Sequence, residues 1–263
     1  MWLRDSGPTG VRTPDGRIQL IHWGFNAWAK YDNFALDQRV PEFVQQITGH
    51  ERIEPRTPDG RRIILEGGAI ETDGEGTLLV TEECLLSDVQ VRNPGLTRQD
   101  YERAFAEYLG ISRTIWLGCG CAGDDTHGHI DDIARFVAPG VVALAYEPDP
   151  ADENHASSVD NLKRLQSATD AQGRRLNVIK LPMPRPVVFD GQRLPASYAN
   201  FYIANGAVLV PTFNDAHDRH ALNLLAEAFS DRQIIGIHAV DLVWGLGTLH
   251  CLTQQQPAEQ PPR

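Results

Sequence analysis

With 263 residues, 41% of them hydrophobic, the chain is long enough to bury a full core, and 35 acidic against 24 basic side chains give it a formal net charge of −11. That charge argues against nucleic acid and anionic membrane as partners, because both are held by clustered Lys and Arg, and it favours a small cationic ligand. No apolar run is long enough to span a bilayer and the start Met1-Trp-Leu-Arg-Asp-Ser-Gly-Pro8 lacks the apolar stretch of a secretory signal. Four cysteines (Cys84, Cys119, Cys121, Cys251) make no disulfide framework, so a cytoplasmic protein is expected.

Trp2-Leu-Arg4-Asp5-Ser-Gly7-Pro8 reads as a functional motif with no strand or helix before it, which implies a segment upstream and an incomplete first module. Residues 16–23 alternate as a strand does, 23–31 form an aromatic-rich loop, and Phe34, Leu36, Val40, Phe43, Val44 and Ile47 predict an amphipathic helix over 33–49. Strands are predicted at 61–65, 69–73 and 77–80, with a turn at Glu66-Gly-Gly68 and a hairpin at Gly74-Glu-Gly76. Thr97 caps a helix that runs to Leu109 and stops at Gly110. Strands follow at 114–117, 133–137 and 141–146, with the polar cluster 118–132 between the first two and a helix over 158–169 after them. Further strands are predicted at 177–181, 207–210 and 234–238, with the segment Ser197-Tyr-Ala-Asn-Phe201 between the first two and a helix over 217–229. The polar, proline-rich residues 254–263 predict a disordered tail.

Strand, polar segment, strand and helix thus recur with the period of a repeat architecture, and such modules arrange themselves around a shared centre. Asp5, Glu66, His129, Asp131, Asn200 and Cys251 are then expected to converge there. The segment Trp244-Gly-Leu-Gly-Thr-Leu-His-Cys251 presents a thiol after a glycine-punctuated loop, and Cys251 is read as a nucleophile, the alternative being a buried inert cysteine. Gly123-Asp124-Asp125-Thr126-His127-Gly128-His129-Ile130-Asp131-Asp132 supplies the base and carboxylates that thiol chemistry needs. If 129–131 is a strand, His129 and Asp131 share one face, whereas His250, adjacent to Cys251, faces away and takes no role. Asp124, Asp125 and Asp132 are expected to be solvated or capping. Cys119-x-Cys121 has no second pair to complete a structural zinc site, so neither metal nor cofactor is expected.

The blocks Trp2-Leu-Arg-Asp5-Ser-Gly-Pro, Trp23-Gly-Phe-Asn-Ala-Trp28, Glu66-Gly-Gly-Ala-Ile-Glu-Thr-Asp, Arg92-Asn-Pro-Gly, Asp125-Thr-His-Gly-His129-Ile-Asp131, Ser197-Tyr-Ala-Asn-Phe-Tyr and Leu249-His-Cys251-Leu-Thr-Gln-Gln resemble the agmatine deiminases, within the peptidylarginine-deiminase-like group. The resemblance implies the α/β pentein fold, a propeller-like ring of five ββαβ modules around a central active site, with residues 1–253 as one catalytic domain. It further implies Cys251 as nucleophile, His129 as acid and base oriented by Glu66, and Asp5 and Asp131 as a carboxylate clamp on a guanidinium. Trp2, with Trp23 and Trp28, and Asn200 are candidate substrate contacts, core packing being the alternative for the tryptophans. The expected reaction is hydrolysis of agmatine to N-carbamoylputrescine and ammonia. Gly245-Leu-Gly-Thr-Leu-His-Cys251 departs from the Gly-Gly-Gly-Asn-Ile-His-Cys typical of agmatine deiminases, which leaves a peptidylarginine or other guanidino substrate open. From other classes, a metallohydrolase using Asp125, His127, His129 and Asp131, or a non-catalytic binding fragment, also stays open. An incomplete first module would expose strand edges, so a homodimer is expected.

Overall fold

The computed structural model describes residues 2–258; 259–263, the end of the expected tail, lie outside the described residues. A short helix α1 (Leu3–Ser6) leads into β1 (Thr9–Arg12) and β2 (Ile18–Ile21), which pair antiparallel. After α2 (Val40–Thr48) the chain returns as β3 (Glu51–Ile53), parallel to β2. The helix predicted from residue 33 begins only at Val40, behind a 3-10 turn at Asp37–Arg39. Pro41 has no N–H to donate, which suits it to a first helical turn and not to the interior of a longer helix.

The arrangement then repeats. β4 (Glu71–Thr72) and β5 (Thr77–Thr81) form the predicted hairpin, α3 (Glu82–Leu86) and α4 (Arg98–Leu109) follow, and β6 (Arg113–Leu117) lies parallel to β5. The expected cap is present: Thr97 accepts from the backbone N–H of Asp100 at 3.3 Å, while Asp100 accepts from that of Thr97 at 2.8 Å. β7 (Ala134–Ala138) and β8 (Val141–Tyr146) are antiparallel, and β9 (Asn177–Pro182) returns parallel to β8 after α5 (Asn154–Ser167). That helix starts earlier than predicted, with the Asp152 carboxylate accepting the Asn154 N–H at 2.8 Å.

A small hairpin, β10 (Val188–Phe189) and β11 (Gln192–Arg193), turns on Asp190 and Gly191 at φ 50° and 77°. The last module is β12 (Tyr202–Ile203), β13 (Ala207–Thr212), α6 (Asp218–Ala228) and β14 (Gln233–His238), again antiparallel then parallel; α7 (Leu249–Leu252) follows. One predicted strand is absent: residues 61–65 make only isolated bridges, Arg56 with Arg62 and Gly24 with Ile64. The segment 197–201 is irregular although every residue in it is buried.

Among the described residues the ββαβ module therefore occurs four times. The described residues divide into two compact units, 2–67, 85–111 and 252–258 in the first, 68–84 and 112–251 in the second. In the first unit Trp23 stands edge-on to Tyr108 at 5.9 Å, and Ile21, Leu65, Tyr101 and Phe105 are almost wholly buried. In the second, α5 packs on β6 and β8, α6 packs on β9 and β14, and Leu79, Leu117, Leu144, Leu165, Tyr198 and Val208 are fully buried. Of the tail, Gln254 accepts from Arg4 at 2.6 Å and Gln256 meets His50 at 3.0 Å, both within the first unit. No helix among the described residues is long and apolar enough to cross a membrane.

Candidate active site

In the second unit the site is built on two helical turns. One is the 3-10 turn Ile130–Asp132, with His129 at its head; the other is α7, which carries His250 and Cys251. Neither is the strand that the sequence suggested, and this changes which side chains meet. Successive residues of a strand point to opposite faces, whereas in a helical turn they are separated by about 100° and can face one centre. His250 is thus turned inward: its Nδ1 lies 2.6 Å from Asp131 Oδ2, and Cys251 Sγ lies 3.5 Å from the same oxygen. Asp132 is likewise buried at 3% exposure, contrary to the expectation of a solvated residue. Burial, and then the negative charges of Asp131 and Asp124, push its carboxyl well above the usual carboxylate range.

Asn200 joins these pieces. Its Nδ2 donates to Asp132 Oδ1 at 2.9 Å and to Cys251 Sγ at 3.1 Å. Its Oδ1 accepts from Thr248 Oγ1 at 2.8 Å and from the backbone N–H groups of His250 and Cys251 at 3.1 and 3.4 Å. Arg135 holds the backbone on either side: Nη1 donates to the carbonyls of Ala199 and Phe201 at 3.2 and 2.7 Å, and Nε donates to Glu71 at 2.9 Å. The irregular course of 197–201 follows from this, since its polar groups are satisfied by side chains and loops and not by a ladder. In the approach to Cys251 the left-handed residue is Leu246, at φ 67°, and not Gly245 or Gly247 as the glycine pattern implied.

Asp124 acts as the expected cap, its Oδ2 receiving the N–H groups of Gly128 and His129 at 2.8 and 3.0 Å. His127, at φ 64°, turns toward Glu83 with 3.9 Å between Nδ1 and Oε1. The Cys119-x-Cys121 segment runs so close to this loop that a Cβ on Gly120 would lie 2.5 Å from Gly128 Cα. Burial raises both thiols, that of Cys121 well above the ordinary value, so neither is poised as a thiolate.

The first unit holds the other two predicted carboxylates. Asp5, buried in α1, accepts from Trp28 Nε1 at 3.0 Å. Trp28 is the middle of three consecutive left-handed residues, Ala27, Trp28 and Ala29, at φ 48°, 60° and 53°. Such a run costs on the order of 1 kcal/mol per residue, and strain of this kind is characteristic of functional loops. Its carbonyl accepts from Gln90 at 3.0 Å, the Gln90 carbonyl accepts from Arg92 Nη1 at 2.9 Å, and Arg92 Nε donates to Glu66 at 3.1 Å. A continuous chain of hydrogen bonds therefore links Asp5 to Glu66, whose pair with Arg92 is fully buried. Trp23 is a core residue, with Nε1 on Thr9 at 3.2 Å, and Trp2 is half-buried at the head of α1.

The repeated ββαβ modules, with a buried thiol that meets an amide and a carboxylate, the carboxylate bonded in turn to an imidazole, are the α/β pentein architecture of guanidine-modifying enzymes. The model of the Porphyromonas-type peptidyl-arginine deiminase family matches residues 1–257, and the chain belongs to that family. The chain is 38% identical to the agmatine deiminase of Pseudomonas fluorescens over 98% of its own length and 75% of that protein's. Among solved structures, the agmatine deiminase of Enterococcus faecalis superposes with a TM-score of 0.92 at 37% identity, over 98% of this chain and 75% of that one. A substrate-bound agmatine deiminase of C. jejuni, in a Cys→Ser form, gives 0.86 at 30% identity over 97% and 73%. The chain is accordingly a deiminase, a hydrolase of C–N bonds in linear amidines.

Proposed function

We propose that the chain hydrolyses agmatine to N-carbamoylputrescine and ammonia, with the Cys251 thiolate as nucleophile. The observation that carries this reading is the setting of Cys251 Sγ, buried, with an N–H donor at 3.1 Å and a carboxylate oxygen at 3.5 Å. A donor favours the thiolate and the carboxylate favours a cation beside it, so the pocket suits a sulfur nucleophile attacking a guanidinium. The names of the relatives supply the substrate.

In the proposed cycle the sulfur bonds to the central guanidinium carbon, giving a tetrahedral adduct. Transfer of a proton from His129 to one amino nitrogen lets the C–N bond break and ammonia depart, leaving an S-alkylthiouronium. His129 then takes a proton from the attacking water, and as the C–S bond breaks the hydroxyl proton of the adduct passes to solvent, leaving the urea and the returned thiolate. Asp131 holds the guanidinium through paired hydrogen bonds. Asp5 and Glu66 are proposed as the remaining carboxylates of the reaction on the family resemblance.

Ammonia release from agmatine, free arginine and an arginyl peptide, measured side by side, tests the substrate; agmatine is expected to give the largest kcat/KM, and an arginyl peptide exceeding it would overturn that assignment. Cys251→Ser is expected to abolish turnover with the fold retained, and iodoacetamide is expected to label Cys251 ahead of Cys84, Cys119 and Cys121. Turnover by the Ser variant would remove Cys251 from its role.

A further inference from the structure

We infer that Asn200 is a positioning residue for the nucleophile and not a contact for the substrate, and that Thr248 and Asp132 fix it in that task. The inference rests on Cys251 being the nucleophile.

The orientation of the amide follows from its partners. The backbone N–H groups of His250 and Cys251 can only donate, and both point at one end of the amide, at 3.1 and 3.4 Å, so that end is the oxygen. The nitrogen must then face the opposite side, where the Asp132 carboxylate and Cys251 Sγ stand at 2.9 and 3.1 Å. Both N–H hydrogens are thereby committed to protein acceptors, and the oxygen already receives three donors, counting the Thr248 hydroxyl at 2.8 Å. A guanidinium offers only donors and would need free acceptor capacity. Asn200 has none to give, and it is fully buried.

The same bonds act on the sulfur in two ways. Three donors from residues 248 to 251 converge on one oxygen, which closes the turn that carries Cys251 and fixes where Sγ lies. The N–H on Sγ is worth more to a thiolate than to a thiol, so it favours the reactive form. The carbonyl of Asn200 adds a further bond from His250 N–H at 3.1 Å, and Arg135 clamps the flanking carbonyls. The amide is thus held on every side by protein groups, and the one among them that meets the substrate's carbon is the sulfur it positions.

The test compares Asn200→Ala and Thr248→Val with the unaltered enzyme. Two quantities are read: the pH dependence of Cys251 alkylation by iodoacetamide in the absence of substrate, and kcat and KM for ammonia release from agmatine. Losing a hydrogen bond to a charged group lowers its stabilisation enough to move the alkylation midpoint up by about one pH unit or more, with kcat falling roughly tenfold or more. KM is expected to stay within about threefold, because no substrate contact is lost. Thr248→Val, nearly isosteric, is expected to move both readings the same way by less, and it decides the matter if Asn200→Ala fails to fold. Unmoved alkylation profiles in the folded variants, or a raised KM at constant kcat, would overturn the inference. A Cys251→Ser enzyme that still turns over would instead show that the nucleophile itself had been misassigned.

Discussion

Asp132 shows how much one buried atom can decide. Its carboxyl is raised chiefly by burial and then by the charges of Asp131 and Asp124, so the folded state holds this proton more tightly than the unfolded chain does. Stability from such a group is complete below the unfolded carboxylate range and is lost as pH rises through the folded value. Asp132→Asn, which keeps the shape and an acceptor for Asn200, is therefore expected to gain stability over the parent, with the gain widening from pH 5 to pH 8 in denaturant titrations. A gap that is constant with pH would show that Asp132 carries no such burden. That Asp131 and Asn200 lie beside Cys251 agrees with the expected convergence of the polar segments, although Asn200 was expected to meet the substrate and not the sulfur. His250 and Asp132 were not expected there, because the two blocks were read with strand alternation. The inward turn of neighbouring side chains appears only once both segments are known to be helical turns. Arg135 carries no signal of its own in the sequence, and Arg92 stands out only as part of a resembling block, because what they hold is backbone and buried carboxylate far away in sequence.

At the scale of elements, local signals were read well where they were self-contained. The helix α4 is the clearest case, with Thr97 and Asp100 satisfying each other's backbone N–H groups at one end and Gly110 at φ 69° at the other. Thr97→Ala is expected to cost about 1 kcal/mol, read as a lowered denaturation midpoint at unchanged slope, and a change below roughly a quarter of that would mean the cap is redundant. Strands β1 and β3 went unread, since three or four residues are too few to show alternation, and β3 is recognised only by its pairing with β2. Residues 61–65 show the converse: a segment that ends in Ile63-Ile64-Leu65 and is read as a strand makes only single bridges. The Asp190-Gly191 pair carried the hairpin signal plainly, but its strands of two residues each gave no flanking pattern to support it. The module itself was legible because each helix and the strand after it repeat in order.

For the molecule as a whole, the formal charge of −11 describes the total and hides a local inversion. In the first unit Arg52 and Arg62 crowd His22, Arg52 donating to its Nδ1, and Arg62 donating to its carbonyl at 2.8 Å. Glu54 is the carboxylate that answers them, 2.6 Å from Arg52 and 3.8 Å from His22. Burial first, then the charges of Arg62 and Arg52, depress His22 to about 4, with Glu54 opposing. The unfolded chain therefore binds this proton near pH 6.5 and the folded protein only near pH 4, so stability falls as pH is lowered through that window and levels off below it. The bound on the effect is about 3 kcal/mol, large against the 5–15 kcal/mol that is roughly typical of a folded domain. Several carboxylates in ion pairs, such as Asp59, Asp100 and Asp170, are lowered and titrate beneath this window, and Asp132 acts in the opposite sense, so the contribution of His22 is read as a difference between two pH profiles. Between pH 7, 5.5 and 4.5, denaturation midpoints are expected to drop further for the parent protein than for His22→Gln, whatever stability the substitution itself removes. Parallel pH profiles for the two would show that the early acid loss arises elsewhere, and would remove His22 as its cause.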